Sequence, residues 1–260
     1  MNVKTVYTDD EIKNGYCFPC ECAKECEKNM CQDDPIRFCY AKVGSEYGKD
    51  EKSPRIMFVG KEPVGKNSEI ERPEYVGDVP PTNWHYFGTI ASAVILLTKE
   101  NLEEADVTQE NLKKYGNIQE KLVLTNYYKC AFPIKRKNGK TNRQGVHTNN
   151  VMKEKCLPLL FKEIELLQPD IVITQGKFFP NEFWHELETR YQEERTIPSS
   201  MCKIGFTQYA YKNKTEKKLF VVFGYHPAAR GRLWFKSFYS LREVLLKVRE
   251  EWDKLALSEN

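Results

Sequence analysis

Six cysteines crowd into one stretch, Cys17, Cys20, Cys22, Cys26, Cys31 and Cys39, and three more follow at Cys130, Cys156 and Cys202. Sulfurs as close as those of Cys17-x-x-Cys20 can reach a single soft metal centre. The N-terminus MNVKTVYTDDEIKNGY lacks the basic-then-apolar order of a secretion leader. In a reducing compartment thiols stay free, so the nine cysteines point to a metal centre rather than to disulfides. Residue types suited to acid-base work and hydrogen-bond recognition recur in three further loops. Glu62 sits in GKEPVGKNSE, Asn126 and Lys129 in TNYYKCAFP, and His226 in GYHPAARGR. Each is weak by itself: a Gly-x-x-Pro turn is common, a histidine before proline is often structural, and an asparagine after a strand often serves a turn.

These loops need elements to hold them, and four short apolar runs supply them: Arg55 to Gly60, Lys121 to Asn126, Asp170 to Gly176 and Leu219 to Gly224. Strands that are apolar almost throughout are buried on both faces. Between them lie helical patterns. From about Asn149 to Leu167 the apolar residues fall largely on one side and Pro169 marks the end; Leu233 to Leu257 repeats the pattern with Phe235, Phe238, Leu241, Leu245, Val248 and Trp252. Strands alternating with helices predict a three-layer α/β/α sandwich with a mainly parallel four-stranded central sheet. Ligands of such sheets sit beyond the carboxyl ends of the strands, where the three loops are expected to converge.

At 260 residues the chain can build one main core with a small satellite. The expected division is a cysteine-rich segment over residues 1–50 that contributes metal ligands, then an α/β domain over residues 51–260. No run of about 18 apolar residues occurs, so a soluble, cytoplasmic protein without a membrane contact is expected. The net charge is +3, compatible with a polyanionic partner. Lys135, Arg136, Lys137, Lys140 and Arg143 cluster around Asn138, Gly139 and Asn142, whose turn chemistry predicts an exposed basic loop.

The combination and order of the three loops resemble the uracil-DNA glycosylase superfamily, whose first strand ends in a Gly-x-x-Pro loop and whose last core strand ends in a His-Pro loop. The similarity is greatest to family 4, which carries a 4Fe-4S cluster. There the middle strand runs into Thr-Asn-x-x-Lys-Cys, matched by Thr125, Asn126, Lys129 and Cys130, and a later cysteine opens the next helix, matched by Cys156 in KEKCLPLLFKEIELLQPDIVITQG. The resemblance covers about Arg55 to Val248. It implies a cluster held by Cys17, Cys20, Cys130 and Cys156, four thiolates from three separated segments. The N-terminal pair lies further from the first strand than in the family, and Cys22, Cys26, Cys31 and Cys39 fall between, so either an insertion carries extra thiols or the ligand pair is a later one among the six. A second site for zinc or another cluster from those four is the lesser expectation.

The same resemblance implies a DNA repair glycosylase that flips a uracil, or another deaminated base, out of DNA and hydrolyses its N-glycosidic bond. His226 takes the position of the histidine that steadies the departing uracil anion, and Asn126 that of the amide that reads the base edge. The family's Gly-Glu-x-Pro-Gly reads here Gly60-Lys61-Glu62-Pro63-Val64-Gly65, with the acid moved by one. Glu62 then falls where the best-known uracil glycosylases keep their water-activating aspartate, with Glu69 in reserve. Gly60 belongs to the base site, and Tyr75 and Phe87 compete for its aromatic floor. Lys135, Arg136, Arg143 and Arg230 are the expected DNA contacts, and a monomer suits a scanning enzyme. Two rivals remain open: a divergent member with another base preference, and a non-catalytic, metal-dependent nucleic-acid-binding protein.

Overall fold

The computed structural model describes residues 41–60, 84–103, 106–115, 117–129, 133–135, 141–146, 150–175, 181–198, 204–211, 214–225 and 232–258. All four predicted strands form, β2 (Ile56–Gly60), β3 (Leu122–Asn126) and β6 (Ile171–Gln175) within a residue of their expected limits and β9 (Lys214–Tyr225) starting five residues earlier than expected. They lie side by side and parallel in the order β3-β2-β6-β9. Every residue of β2, β3 and β6 is buried, as continuous apolar runs require.

Successive side chains leave a strand on opposite faces, and two cores result. Met57, Val59, Val123, Val172 and Val221 point to one face, where they pack with helices α3 (Asn150–Leu167) and α4 (Asn181–Arg190) through Leu160, Phe161, Ile164, Phe183 and Leu187. Ile56, Phe58, Leu122, Leu124, Ile171, Ile173, Phe220 and Val222 point to the other. There they meet α1 (Trp84–Thr98) and α5 (Arg232–Ser258) through Val94, Ile95, Leu241 and Leu245. The three-layer arrangement is therefore present. Helix α3 stops at Leu167, Gln168 turns into the left-handed region at φ 45°, and Pro169 prevents continuation. A short helix α2 (Gln109–Lys113), capped by the Thr108 side chain on the amide of Asn111, precedes β3.

The sheet is larger than the four strands expected, and only partly parallel. It has seven strands in the order β1-β3-β2-β6-β9-β8-β7, where β1 is Lys42–Val43, β7 is Tyr191–Pro198 and β8 is Gly205–Tyr211. The pairings of β1 with β3, β8 with β9 and β7 with β8 are antiparallel. Their sequences explain why apolar runs do not reveal them. In YQEERTIP, residues Gln192 to Thr196 are exposed, and such charge on an edge strand discourages pairing with another chain. The first half of β9, KTEKK, is equally polar because it extends past the parallel strands to pair with β8.

At the opposite edge the chain approaches itself closely. The amide of Gly44 donates to the Leu122 carbonyl at 2.9 Å. A Cβ at Gly44 would lie 2.3 Å from the carbonyl carbon and oxygen of Glu120. Because the obstruction is backbone, Gly44→Ala is expected to cost about 1–3 kcal/mol, a fall of several degrees in thermal midpoint. Calorimetry checks this, and an unchanged midpoint would show that the edge yields freely.

Candidate active site

The register of the parallel strands sets one row of residues across their carboxyl ends. Gly60 lies opposite Asn126 on one side and Gln175 on the other, and Gln175 lies opposite Tyr225. The Tyr127 amide continues the β2–β3 ladder by donating to the Gly60 carbonyl at 2.7 Å. Between β6 and β9 the register shifts after Ile173, and the Thr174 hydroxyl donates to the Val222 carbonyl at 3.0 Å beside the shift. Irregularities of this kind re-aim the chain next to many active sites. The strands that lead into the segments at Lys61, Tyr127 and His226 thus end at one rim.

Beside that rim, on the α3 face, lies a charged junction with no exposure to solvent. The Lys129 Nζ meets Glu163 Oε2 at 2.6 Å, with both side chains fully buried. It also donates to Thr125 Oγ1 at 2.7 Å, and the Thr125 hydroxyl donates to Glu163 Oε2 at 2.6 Å. The second carboxylate oxygen accepts the Ala41 amide at 3.0 Å. Glu163 therefore joins the end of β3, the turn after it, helix α3 and the backbone at Ala41. Burying two charges is favourable only when each finds several partners, and here they do.

The strand's alternation carries the consequence to the other face. Thr125 points to α3, so Asn126 points toward α1, the side shared by Leu122 and Leu124. Asn126 is buried. Gly60 and Gln175 occupy the same parity on their own strands, after Phe58 and Ile173. The Gln175 Nε2 donates to Thr89 Oγ1 on α1 at 2.6 Å, and both residues are buried. Phe87 lies two residues before Thr89, in the first turn of α1.

The backbone amide of Lys129 donates to the sulfur of the buried Cys156 at 3.4 Å. Two tyrosines cover the turn: Tyr127 and Tyr128 make an edge contact at 4.7 Å, and Tyr127 meets Phe183 of α4 at 6.3 Å. Burial pushes the Tyr127 phenol well above its ordinary pKa, so it stays neutral at physiological pH.

Among the predicted site residues, Asn126 and Gly60 are brought together, and Phe87 lies on the helix facing them. The basic segment differs from the loop expected: β4 (Pro133–Lys135) and β5 (Thr141–Val146) form a two-stranded antiparallel ribbon that contains Lys135 and Arg143. The Asn138-Gly139 pair between them is a hairpin signal that reading the charges as a loop passes over. Glu62, Glu69, Tyr75, His226, Arg230, Arg136, Cys17, Cys20, Cys22, Cys26, Cys31, Cys39 and Cys130 lie outside the described residues. Glu163 and Gln175 are the residues sequence reasoning missed. Glu163 sits seven residues after Cys156 and three after Leu160, on the apolar stripe of α3 where an acid needs a buried partner.

The model described as the uracil DNA glycosylase superfamily matches residues 47–251, and the chain belongs to that superfamily. Its members act on DNA, generally as glycosylases that hydrolyse N-glycosidic bonds. No curated protein matches the chain. No helix among the described residues is long and apolar enough to cross a membrane.

Removing one partner of the junction leaves the other charge buried alone. Glu163→Leu is expected to destabilise the protein by about 3–5 kcal/mol. The double variant Lys129→Met/Glu163→Leu should lose less than the sum of the two single losses. Denaturant unfolding of the three variants measures the coupling, and strictly additive losses would show that no interaction joins the pair.

Proposed function

We propose that this superfamily member is a base-excision enzyme that removes uracil, or another deaminated base, from DNA, and that within the superfamily it is most like the cluster-containing family 4. The observation that supports this best is the register row at the strand rim. Gly60 and Asn126 are neighbours in it, and the chain continues from Gly60 toward Glu62 and from Tyr225 into His226.

The reaction adds water across the bond between C1' and the base nitrogen. The bond breaks toward the base, which departs as an anion and later takes a proton, while C1' passes through an oxocarbenium-like state. Asn126 reads the O4 and N3-H edge, for which a carboxamide offers one acceptor and one donor group. His226 donates a hydrogen bond to O2 as negative charge grows there; such a donor is worth a hundredfold or more in rate. Glu62 orients the attacking water and offsets the charge at C1', with Glu69 as the alternative acid. The base stacks on Phe87 or Tyr75, a contact worth about 1–3 kcal/mol. Lys135, Arg136, Arg143 and Arg230 hold phosphates, so binding weakens steeply with salt.

Residues 1–50 serve as the cysteine-rich segment, which runs into the sheet through β1, and residues 51–260 supply the rest of the catalytic domain. A 4Fe-4S cluster would be held by Cys17, Cys20, Cys130 and Cys156. The one described cysteine suits it, because an amide hydrogen bond to a buried sulfur is the environment of a thiolate ligand. Such a cluster supplies cross-linking that braces the loop after β3, while the chemistry at C1' rests on the protein's own side chains. Cys22, Cys26, Cys31 and Cys39 are spare thiols for a second metal.

Oligonucleotides carrying uracil, hypoxanthine or xanthine test the activity. The wild-type protein, purified anaerobically, should contain about four irons and release at least one of these bases. His226→Ala should bind DNA as before and turn over at least a hundredfold more slowly. Release of no base by iron-loaded protein would overturn the glycosylase reading. A colourless protein with zinc alone would overturn the cluster.

A further inference from the structure

We propose that Gln175 is a second base-reading residue, which with Asn126 brackets Gly60 at the strand rim and sets which base the site accepts. The inference rests on the glycosylase reading for its substrate, but its grounds are in the sheet. Asn126, Gly60 and Gln175 are consecutive across three adjacent parallel strands and share one parity. Neighbouring strands are about 4.8 Å apart, so the two amide-bearing Cα atoms are separated by about 10 Å. Gly60 places no side chain between them.

Both carboxamides are buried at the ends of strands otherwise composed of Leu, Val, Ile and Thr. Buried amides are costly unless hydrogen-bonded, and apolar residues would finish these strands at less cost. The bond to Thr89 fixes the Gln175 side chain against α1, at the turn that carries Phe87. A base resting on that turn and held by Asn126 meets the Gln175 amide on its other side. Recognition by two fixed amides discriminates strongly, because a base with mismatched donors and acceptors leaves buried polar groups unpaired.

The full-length, iron-loaded protein is compared with Gln175→Met, Gln175→Glu and Thr89→Val. Two readouts are taken: single-turnover release of uracil, hypoxanthine and xanthine from oligonucleotides, and affinity for the three free bases by calorimetry. Gln175→Met should change the ratio of rates among bases by about tenfold or more, with the affinity ratios moving in the same direction. Binding to undamaged duplex should not change. Gln175→Glu keeps the shape but loses the donor, so it should alter the ratios even if the methionine variant folds poorly. Thr89→Val should give a smaller shift of the same sign.

Ratios that stay constant in both Gln175 variants while all rates fall together would reduce Gln175 to a structural strut and overturn the inference. Failure of the glycosylase reading looks different: the wild type releases no base. The free-base affinities then decide the inference alone, upheld by altered ratios in the variants and overturned by unaltered ratios or by no binding.

Discussion

A lysine and a glutamate with no access to water, 2.6 Å apart, hold the end of strand β3 in place. Lys129 and Glu163 would be a liability singly, since each carries a charge into a medium that solvates it poorly. Together with the Thr125 hydroxyl and the Ala41 amide they form a closed set of hydrogen bonds across segments that are distant in sequence. The set fixes Thr125 toward α3. Because a strand's side chains alternate, it thereby fixes Asn126 toward α1. Consecutive residues of β3 thus serve opposite faces of the sheet, Thr125 the junction and Asn126 the face proposed to read the base.

The rest of the sheet serves the same rim. Parallel pairing of β3, β2, β6 and β9 brings their carboxyl ends level, and the apolar cores on both sides leave the row Asn126, Gly60, Gln175 and Tyr225 at the margin of packed layers. The antiparallel strands β8 and β7 extend the far side of the sheet, away from β3. At the amino ends of the strands, Arg55 and Asp170 perform the complementary task. The Asp170 carboxylate takes the Arg55 amide at 2.8 Å and its guanidinium at 3.2 Å, which clamps the starts of β2 and β6 in register. Each rim thus has its own ion pair, and at the carboxyl rim the pair lies on the α3 face and leaves the α1 face for ligands, consistent with the general placement of sites in parallel sheets.

What could be read from the sequence follows from which forces leave a local mark. Burial on both faces produces unbroken apolar runs, so β2, β3, β6 and the second half of β9 were legible, as were α3 and α5 from their stripes. Strand β8 is held by pairing with β9 and strand β7 by pairing with β8, and tertiary contact of that kind leaves no periodic trace. The β4–β5 ribbon has an Asn-Gly turn signal without apolar alternation around it. Asn126 was legible because a family motif surrounds it. Gln175 was not, because a polar residue closing an apolar run reads as the end of a strand until the register shows its neighbours. Glu163 could have been suspected, since a carboxylate on the apolar stripe of a helix demands a partner.

The dependence of the recognition face on the buried junction is open to direct observation by native-state hydrogen exchange of the backbone amides in wild-type protein and Thr125→Val. If the junction orders the rim, the Tyr127 amide, which donates to the Gly60 carbonyl, should exchange at least about tenfold faster in the variant, while amides in the middle of β9 keep their protection. Equal exchange at Tyr127 in the two proteins, or a uniform loss across the sheet, would contradict it.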